Sequence, residues 1–220
     1  MEKDLKFNVS GNNNKVILVK NGVEIPYKNL NGLSIEINGN DNTVIIELPS
    51  NFIATSIVIL GDSNYLSIKS TKHRTIRHTT FGLDNGATVK IGSGLSVYRK
   101  LNIVSKNHKV IEIGDECMIA RDVVIRNDDG HVILDNKTGE VLNIPDDIFI
   151  GNKVWIGLRC VILKGARISD GSVVGAMSLV NKKFEEKNIL IAGVPAKKIR
   201  GDISWQRANY AQYNNKKESS

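Results

Sequence analysis

The sequence predicts an all-β protein folded as a parallel β-helix, a solenoid of short strands joined at corners. The first observation is a six-residue repeat of aliphatic side chains without a gap, at Ile150, Ile156, Ile162, Ile168, Val174 and Val180. The second is a smaller residue four positions after each of the first five, at Val154, Cys160, Ala166, Ser172 and Ser178. Neither a helix nor an alternating strand has a period of six, whereas stacked coils of short strands do.

The same period continues upstream, so we expect regular coils over residues 89–200. Ile91, Val97 and Ile103 are in step, as are Ile113, Ile119 and Ile125. The interruption at residues 105–110 predicts a bulged corner. The longer polar interruption, residues 126–149, predicts a protruding loop, and a loop of that length inside a compact fold is usually functional.

Residues 1–88 repeat more loosely and predict irregular turns of the same solenoid. One sequence motif recurs at residues 11–16, 39–44 and 61–66. It consists of a corner of glycine, asparagine or aspartate followed by alternating aliphatic residues. Glycine and asparagine tolerate the left-handed backbone of sharp corners. We interpret the stacked asparagines as structural ladders.

The six-residue rhythm ends after Val180. Residues 193–200 are predicted to form an extended exit strand, and Asp202 to cap a short helix from Ile203 to about Tyr213. This helix is expected to lie across the open end of the coil and cover its unpaired edge. Residues 214–220 are expected to be disordered, so residues 201–220 form a third segment.

Composition narrows the class of protein. Aromatic residues are only 5% of the 220 residues, as suits a narrow core of branched aliphatics. The net charge of +7 suits an anionic ligand, such as a phosphorylated cofactor or an acidic polymer, but equally a solvated basic surface. Cys117 and Cys160 form no disulfide framework, and Cys160 is predicted to be a core thiol. Residues 1–6 lack the apolar run of a signal peptide and no stretch is long enough to cross a bilayer, which predicts a cytoplasmic protein without membrane insertion. No nucleic-acid partner is expected.

Four segments carry a resemblance to the hexapeptide-repeat acyltransferases: residues 150–157, 162–168, 175–180 and 192–197. The resemblance covers residues 89–200 and implies a left-handed coil of three sides, a homotrimer, and acetyl-CoA lying between neighbouring coils. Within that family, Asp128-Asp-Gly-His131 followed by Asp135 resembles the O-acetyltransferases of polysialic acid, capsule and lipopolysaccharide sugars. It therefore implies a sugar or polysaccharide acceptor. An acidic polymer as acceptor would suit the net positive charge of the chain.

The resemblance identifies His131 as the catalytic base. A sugar hydroxyl is a weak nucleophile, and a neutral imidazole can accept its proton during attack on a thioester and then protonate the departing thiolate. Asp135 or a backbone carbonyl is expected to hold the other ring nitrogen. Trp155 is predicted to point outward at a corner. The resemblance implies that it borders the pocket for the acceptor and the thioester, although packing between subunits is an alternative for it.

The resemblance also implies the acetyl-CoA contacts. Gly157, Leu158, Gly175 and Ala176 match positions where the family's backbone runs beside pantetheine. The CoA phosphates are assigned to basic and polar residues where the coil ends, namely Asn181, Lys182, Lys183 and Arg200, with Lys197 and Lys198 nearby. Asn181 stands where the family usually has threonine, and solvated surface charge is the alternative for the lysines.

Three other functions remain open at this point. The same fold could acetylate an amine, such as an amino-sugar nucleotide, or could be a non-catalytic solenoid used for binding or assembly. Trimeric metal-dependent carbonic anhydrases share the shape and use three histidines. Here His73 and His78 are surrounded by cations, which oppose a divalent ion, so no metal is expected.

Overall fold

The computed structural model describes residues 6–218, which form 23 β-strands and one α-helix. Most strands are only two to six residues long, as expected for the sides of a narrow coil. The elements are β1 Phe7–Ser10, β2 Lys15–Lys20, β3 Val23–Pro26, β4 Leu33–Asn38, β5 Thr43–Leu48, β6 Phe52–Ile53, β7 Thr55–Leu60, β8 Tyr65–Ile68, β9 Ile76–Arg77, β10 Thr79–Asp84, β11 Thr88–Ile91, β12 Ser96–Lys106, β13 Val110–Ile113, β14 Met118–Arg126, β15 Ile148–Ile150, β16 Trp155–Ile156, β17 Val161–Leu163, β18 Arg167–Ile168, β19 Val173–Val174, β20 Leu179–Val180, β21 Lys183–Phe184, β22 Leu190–Gly193, β23 Ala196–Arg200 and α1 Tyr210–Glu218.

The strands stack coil upon coil. One nine-stranded sheet runs β21-β18-β15-β13-β11-β8-β5-β2-β3, and a fourteen-stranded sheet forms the remaining sides. In the residues described, neighbouring strands are parallel except in the β2–β3 and β22–β23 pairs. Each strand pairs with the strand one coil later, so that Ile119 lies opposite Ile156 and Ile156 opposite Val174. The fold is a left-handed parallel β-helix, as predicted.

The six-residue repeat forms the core. All six repeat aliphatics and all five smaller residues between them are at most 2% exposed. Because each inward side chain lies above its equivalent in the next coil, branched aliphatics pack in continuous ladders with little void. The prediction that Cys160 is a core thiol is confirmed, since its side chain is fully buried.

Asparagine ladders hold the N-terminal coils, as predicted. Asn42 Nδ2 donates to Asn14 Oδ1 at 3.0 Å, and Asn64 Nδ2 donates to Asn42 Oδ1, also at 3.0 Å. Asn42 and Asn64 are buried, and each oxygen also accepts a backbone N–H from the next coil. Gly39 lies so close to the coil above that a β-carbon there would fall 1.9 Å from the Gly61 carbonyl oxygen. Side-chain amides therefore replace apolar packing at these corners.

The predicted C-terminal helix is misplaced. The helix is α1, Tyr210–Glu218, rather than Ile203–Tyr213, and Asn209 begins it by accepting the Gln212 N–H at 2.9 Å. Asp202 has a φ of 51° and does not cap a helix. Residues 201–209, the C-terminal strap, run back along the side of the coil because burial of Trp205 and hydrogen bonds from Arg207 hold them there.

The ends of the chain differ from expectation in two further respects. The last coil is followed by an antiparallel hairpin of β22 and β23, so the edge of β22 is paired by β23 and not by a helix. Residues 214–218, expected to be disordered, belong to α1, while residues 219–220 and residues 1–5 lie outside the described part of the chain.

Candidate active site

Two corners of the coil carry the predicted site residues. The first corner joins β16 to β17 and contains Gly157 to Cys160; the second joins β17 to β18 and contains Lys164 to Ala166. The long loop, residues 127–147, leaves the end of β14 at the second corner, where Arg126 lies opposite Leu163. Trp155 precedes the first corner, so strand β17 separates it from the base of the His131 loop.

The loop contains a short hairpin that projects from the coil. Leu134 and Val141 form an isolated antiparallel bridge, and the Leu142 N–H donates to the Ile133 carbonyl at 2.8 Å. His131 lies at the start of this hairpin with an exposed side chain. Its ring makes no hydrogen bond within residues 6–218, so both ring nitrogens are available to a ligand.

Asn143 joins the two arms of the loop around His131. Its Nδ2 donates to the His131 carbonyl at 2.8 Å and to Asp129 Oδ2 at 3.0 Å, while its Oδ1 accepts the Ile133 N–H at 2.7 Å. These three bonds fix the backbone on both sides of His131 and leave its imidazole unengaged. Nothing in the sequence pattern indicated this role for Asn143.

Lys164 ties the loop to the second corner. Its ammonium bonds Asp129 Oδ2 and donates to the Asn143 carbonyl at 2.8 Å. The hydrogen bonds from Lys164 and Asn143 hold the pKa of Asp129 below its usual range. We call Asp129, Asn143 and Lys164 the loop clamp. Lys164 thus holds the loop against the coil.

Asp135 makes no hydrogen bond to His131 within residues 6–218. Its Oδ1 accepts the backbone N–H groups of Lys137 at 2.7 Å and Thr138 at 2.9 Å, which closes the tip of the hairpin. These bonds, that from Thr138 first, lower the pKa of Asp135. The tautomer-holding role expected of Asp135 is therefore not realised within one chain, because the turn takes up the carboxylate.

Trp155 points outward, as predicted, but the same chain covers part of it. The indole is 37% exposed, and the Trp205 ring lies 6.1 Å away, centroid to centroid, at 48°. Trp205 is itself only 7% exposed, and its Nε1 donates to the Lys153 carbonyl at 2.8 Å. Sequence reasoning missed Trp205; the signal was that it is one of only two tryptophans in a chain poor in aromatic residues.

Arg207 fastens the C-terminal strap to two neighbouring coils. One guanidinium nitrogen donates to the carbonyls of Glu116 at 2.9 Å and Cys117 at 3.1 Å, and the other bonds the Ser96 hydroxyl. The guanidinium also lies 5.9 Å from the Trp205 ring centroid. The strap that covers Trp155 is thus held by residues that precede Arg207 by 90–111 positions in the sequence.

The four residues predicted to lie beside pantetheine form one stacked patch. The Gly157 N–H donates to the Val174 carbonyl, which precedes Gly175, and the Met177 N–H donates to the Leu158 carbonyl. Ala176 is exposed and Leu158 partly exposed. A β-carbon at Gly157 would fall 2.7 Å from the Val174 oxygen, so stacking alone requires glycine there. Gly175 and Ala176 thus give the accessible part of the patch little side-chain bulk, as an extended ligand needs.

The residues predicted to bind the CoA phosphates are exposed but divided between corners. Asn181, Lys182 and Lys183 follow β20 at the second corner. Arg200 ends β23 opposite Leu190, which lies opposite Val173 in the stack of Trp155. Lys197 lies opposite Ala192, next to the stacked patch. Lys198 pairs with Glu186 at 2.6 Å. One phosphate cluster built from all of them is therefore not formed within a single chain.

Other chemistries find little support in the part of the chain described. Burial raises the pKa of the Cys117 thiol to about 12 and also raises that of Cys160, so neither is an activated nucleophile. Within residues 6–218 no three His, Cys, Asp or Glu side chains converge as metal ligands. The described helix is too short and polar to span a bilayer.

Comparison with known proteins identifies close relatives. The chain is 32% identical over 197 residues to the polysialic acid O-acetyltransferase of Neisseria meningitidis, which covers 87% of this chain and 88% of that protein. It is 35% identical over 127 residues to the polysialic acid O-acetyltransferase of Escherichia coli O1:K1 / APEC, covering 58% of this chain but only 41% of the relative. No protein-family model matches the chain.

The fold agrees with a solved structure over nearly the whole chain. The crystal structure of the polySia-specific acetyltransferase NeuO superposes with a TM-score of 0.75 at 26% sequence identity, covering 99% of this chain and 100% of that one. The similarity includes the irregular N-terminal coils, which lie outside the hexapeptide segment on which the sequence resemblance rested.

Proposed function

This chain belongs to the hexapeptide-repeat acyltransferases, and we propose that it transfers acetyl from acetyl-CoA to a hydroxyl of a cell-surface glycan. Two relatives in sequence are named polysialic acid O-acetyltransferases. The observation that carries the proposal is the exposed His131 imidazole, free of hydrogen bonds within the described chain, on a backbone fixed by the loop clamp. A base needs this combination of an open ring nitrogen and a fixed position.

The reaction is a direct transfer. An imidazole nitrogen of His131 takes the proton of the sugar hydroxyl as its oxygen attacks the thioester carbonyl. The protonated ring then gives that proton to the departing sulfur, so that an ester and a free thiol form and His131 is regenerated. Because the buried Cys117 and Cys160 thiols stay protonated at neutral pH, neither forms a covalent acetyl intermediate.

The residues of the first corner fit acetyl-CoA. The partly exposed Gly175 and the exposed Ala176 present little side-chain bulk to a narrow extended arm, and Trp155 walls one side. Lys197 beside this patch and Lys182 at the next corner supply charge for phosphates. Acetyl-CoA supplies the activated acetyl group as a thioester.

A homotrimer completes the site in this proposal. Within one chain, strand β17 lies between the corner of Trp155 and the corner of the His131 loop. The loop also carries exposed aliphatic side chains that a neighbouring chain could cover, namely Val132, Ile133, Leu134, Leu142 and Ile144, which are 51–67% exposed. We infer that the loop of one protomer faces the first corner of its neighbour, so that His131 and Trp155 from two chains enclose one thioester.

The test is thiol release from acetyl-CoA against a panel of acidic and neutral glycans, with an amino-sugar nucleotide included. His131→Ala should lower kcat by about 10²–10⁴-fold while retaining assembly and acetyl-CoA affinity. His108→Ala, which removes an exposed histidine outside the loop, is the control and should retain full activity. Unchanged turnover in His131→Ala refutes the base, and acetylation of the amino sugar alone refutes a hydroxyl acceptor.

A further inference from the structure

The third corner of the coil, which carries none of the predicted site residues, joins the nine-stranded sheet to the strands in line with Trp155. It recurs on successive coils, at residues 69–75, 92–95, 114–117 and 151–154. The C-terminal strap runs along this corner, since Trp205 bonds the Lys153 carbonyl and Arg207 bonds the Glu116 carbonyl. Charged side chains gather where Arg207 meets the coil.

One carboxylate pairs with the cations of this corner. Glu116 Oε1 accepts a hydrogen bond from Lys72 Nζ at 2.7 Å, and Glu116 Oε2 lies 3.9 Å from a terminal nitrogen of Arg207. The hydrogen bond from Lys72 does most to lower the pKa of Glu116, and the nearby charge of Arg74 lowers it further. Among the side chains described, residues 6–215, no second carboxylate forms a salt bridge with these three cations. Three positive charges against one negative charge leave two in excess.

Arg74 is the least compensated of the three cations. Among the side chains of residues 6–215, its guanidinium forms no salt bridge, and its Nε is buried without a hydrogen-bond partner. The buried Nε shows that the guanidinium is packed against the coil, although the residue as a whole is partly exposed. A partly desolvated charge without a counter-charge is unfavourable, so an anion at the outer nitrogens of Arg74 would be stabilising.

Arg207 shares the excess charge and holds the strap. Burial, and then the charge of Arg74, lowers the pKa of the Arg207 guanidinium, so the two arginines repel each other. Arg207 nonetheless bonds the carbonyls of Glu116 and Cys117 and the Ser96 hydroxyl. An anion next to both guanidinium groups would replace this repulsion by attraction to a shared counter-charge.

The chemistry of these side chains fits a small oxyanion with two negative charges. Guanidinium groups bind phosphate and sulfate oxygens through parallel N–H donors, and a lysine ammonium adds a point charge. The two negative charges of such an ion equal the excess positive charge of the corner.

We propose that Arg74, Arg207 and Lys72 form a binding site for a dianion of the phosphate or sulfate type, and that its occupation fastens the C-terminal strap to the coil. The inference is independent of the proposed function, because neither acetyl-CoA nor an acceptor takes part in it. Since opening of the strap separates Arg207 from Arg74, the bound ion opposes that opening.

The test is hydrogen exchange of the strap amides, residues 201–209, in inorganic phosphate and in sodium chloride of equal ionic strength. If opening of the strap releases the ion, exchange slows in proportion to the bound-to-free ratio, about twentyfold at a phosphate concentration twenty times the Kd from calorimetry. Exchange of the inner strands should slow much less, which separates the site from the general stabilisation by phosphate. Equal exchange of the strap in phosphate and in chloride overturns the proposal.

Two variants and a matched control locate the site. Arg74→Gln removes the uncompensated charge, so phosphate should slow strap exchange less than about twofold, while exchange in chloride stays as slow as in the unaltered protein or becomes slower. Lys72→Gln, at a half-exposed position, should also reduce the slowing, and it serves as the test if Arg74→Gln does not fold. Lys20→Gln removes an exposed positive charge from β2 and should retain the full effect. Equal slowing in all three variants overturns the site.

Two further probes identify the ligand. Methyl phosphate should slow strap exchange as strongly as inorganic phosphate if the natural ligand is the phosphate group of a larger molecule, and less strongly if it is the free ion. Both of these results support the oxyanion site. A hexamer of sialic acid tests the acidic glycan: if it displaces phosphate from the unaltered protein but not from Arg74→Gln, the corner binds carboxylates of the glycan and the proposal is overturned.

Discussion

The two corners that carry the site are held by different kinds of interaction. At the first corner, the buried ring of Trp205 covers Trp155. Arg207, in the same partly buried strap, donates hydrogen bonds to main-chain carbonyls of the coil. At the second corner, the loop clamp holds His131 through polar bonds among exposed or half-exposed side chains, with Asp129 37% and Lys164 23% accessible. One corner relies on burial and the other on hydrogen bonds that compete with water.

This difference teaches how a regular coil acquires a specific site. The hexad aliphatics build a scaffold that is alike on every coil, so they give no preference to one corner over another. Specificity comes from segments that interrupt or follow the repeat, namely the loop of residues 127–147 and the strap of residues 201–209. We expect the strap, anchored by the buried Trp205, to contribute more to stability and the exposed clamp to matter more for turnover.

The strongest test of the comparison is Trp205→Ala. Removal of a buried indole costs about 3 kcal/mol, which lowers the melting temperature of a domain of this size by roughly 5–10 °C. The emission of Trp155 should shift to longer wavelength because its ring gains water, and kcat should fall with it. Tyr210→Ala, at an 83% exposed position, is the control and should melt unchanged. Unaltered melting and emission in Trp205→Ala would show that the strap does not hold this corner.

The sequence predicted the scaffold because the scaffold is periodic. Ile156 and Cys160 are buried by their position in the repeat, and no distant partner is needed to recognise them. Trp205 is different, since its hydrogen-bond partner is the Lys153 carbonyl 52 residues earlier, and local propensity instead favoured a helix begun by Asp202. Chemistry and resemblance pointed to His131 as the proposed base, but its clamp was not predicted, because Asn143 belongs to no repeat.

The second test addresses the exposed corner through Asn143→Ala. Three hydrogen bonds are lost, each worth about 1 kcal/mol. Because these bonds stabilise only the loop, the melting temperature should change little. The His131 backbone becomes mobile, and kcat should fall about tenfold with the KM for acetyl-CoA retained. Asn136→Ala, in the same hairpin without a side-chain hydrogen bond, should behave as the unaltered protein. A melting loss comparable with that of Trp205→Ala would erase the contrast between the corners.

The third test separates charge from hydrogen bonding in the clamp. Lys164→Met removes the bonds to Asp129 and to the Asn143 carbonyl, whereas Lys164→Arg retains a donor and a charge. Because exposed ion pairs contribute about 0–1 kcal/mol, we expect a two- to fivefold fall in kcat for Lys164→Met and partial recovery for Lys164→Arg. Equal loss in both variants would mean that the geometry of the ammonium, and not its charge, holds the loop.

The smallest expected effect is a pH dependence of the second corner. Hydrogen bonds from Lys164 and Asn143 lower the pKa of Asp129. The ionised carboxylate therefore stabilises the loop above the unfolded pKa of about 4. This stabilisation is lost as the pH falls through the lowered pKa of the folded protein. The pKa of Asp135 is lowered too, and it titrates in the same hairpin. Cleavage of the loop by pepsin should therefore accelerate below pH 4 beyond the protease's own profile. In Asp129→Asn with Asp135→Asn the acceleration should disappear, and its persistence would show that other groups cause it.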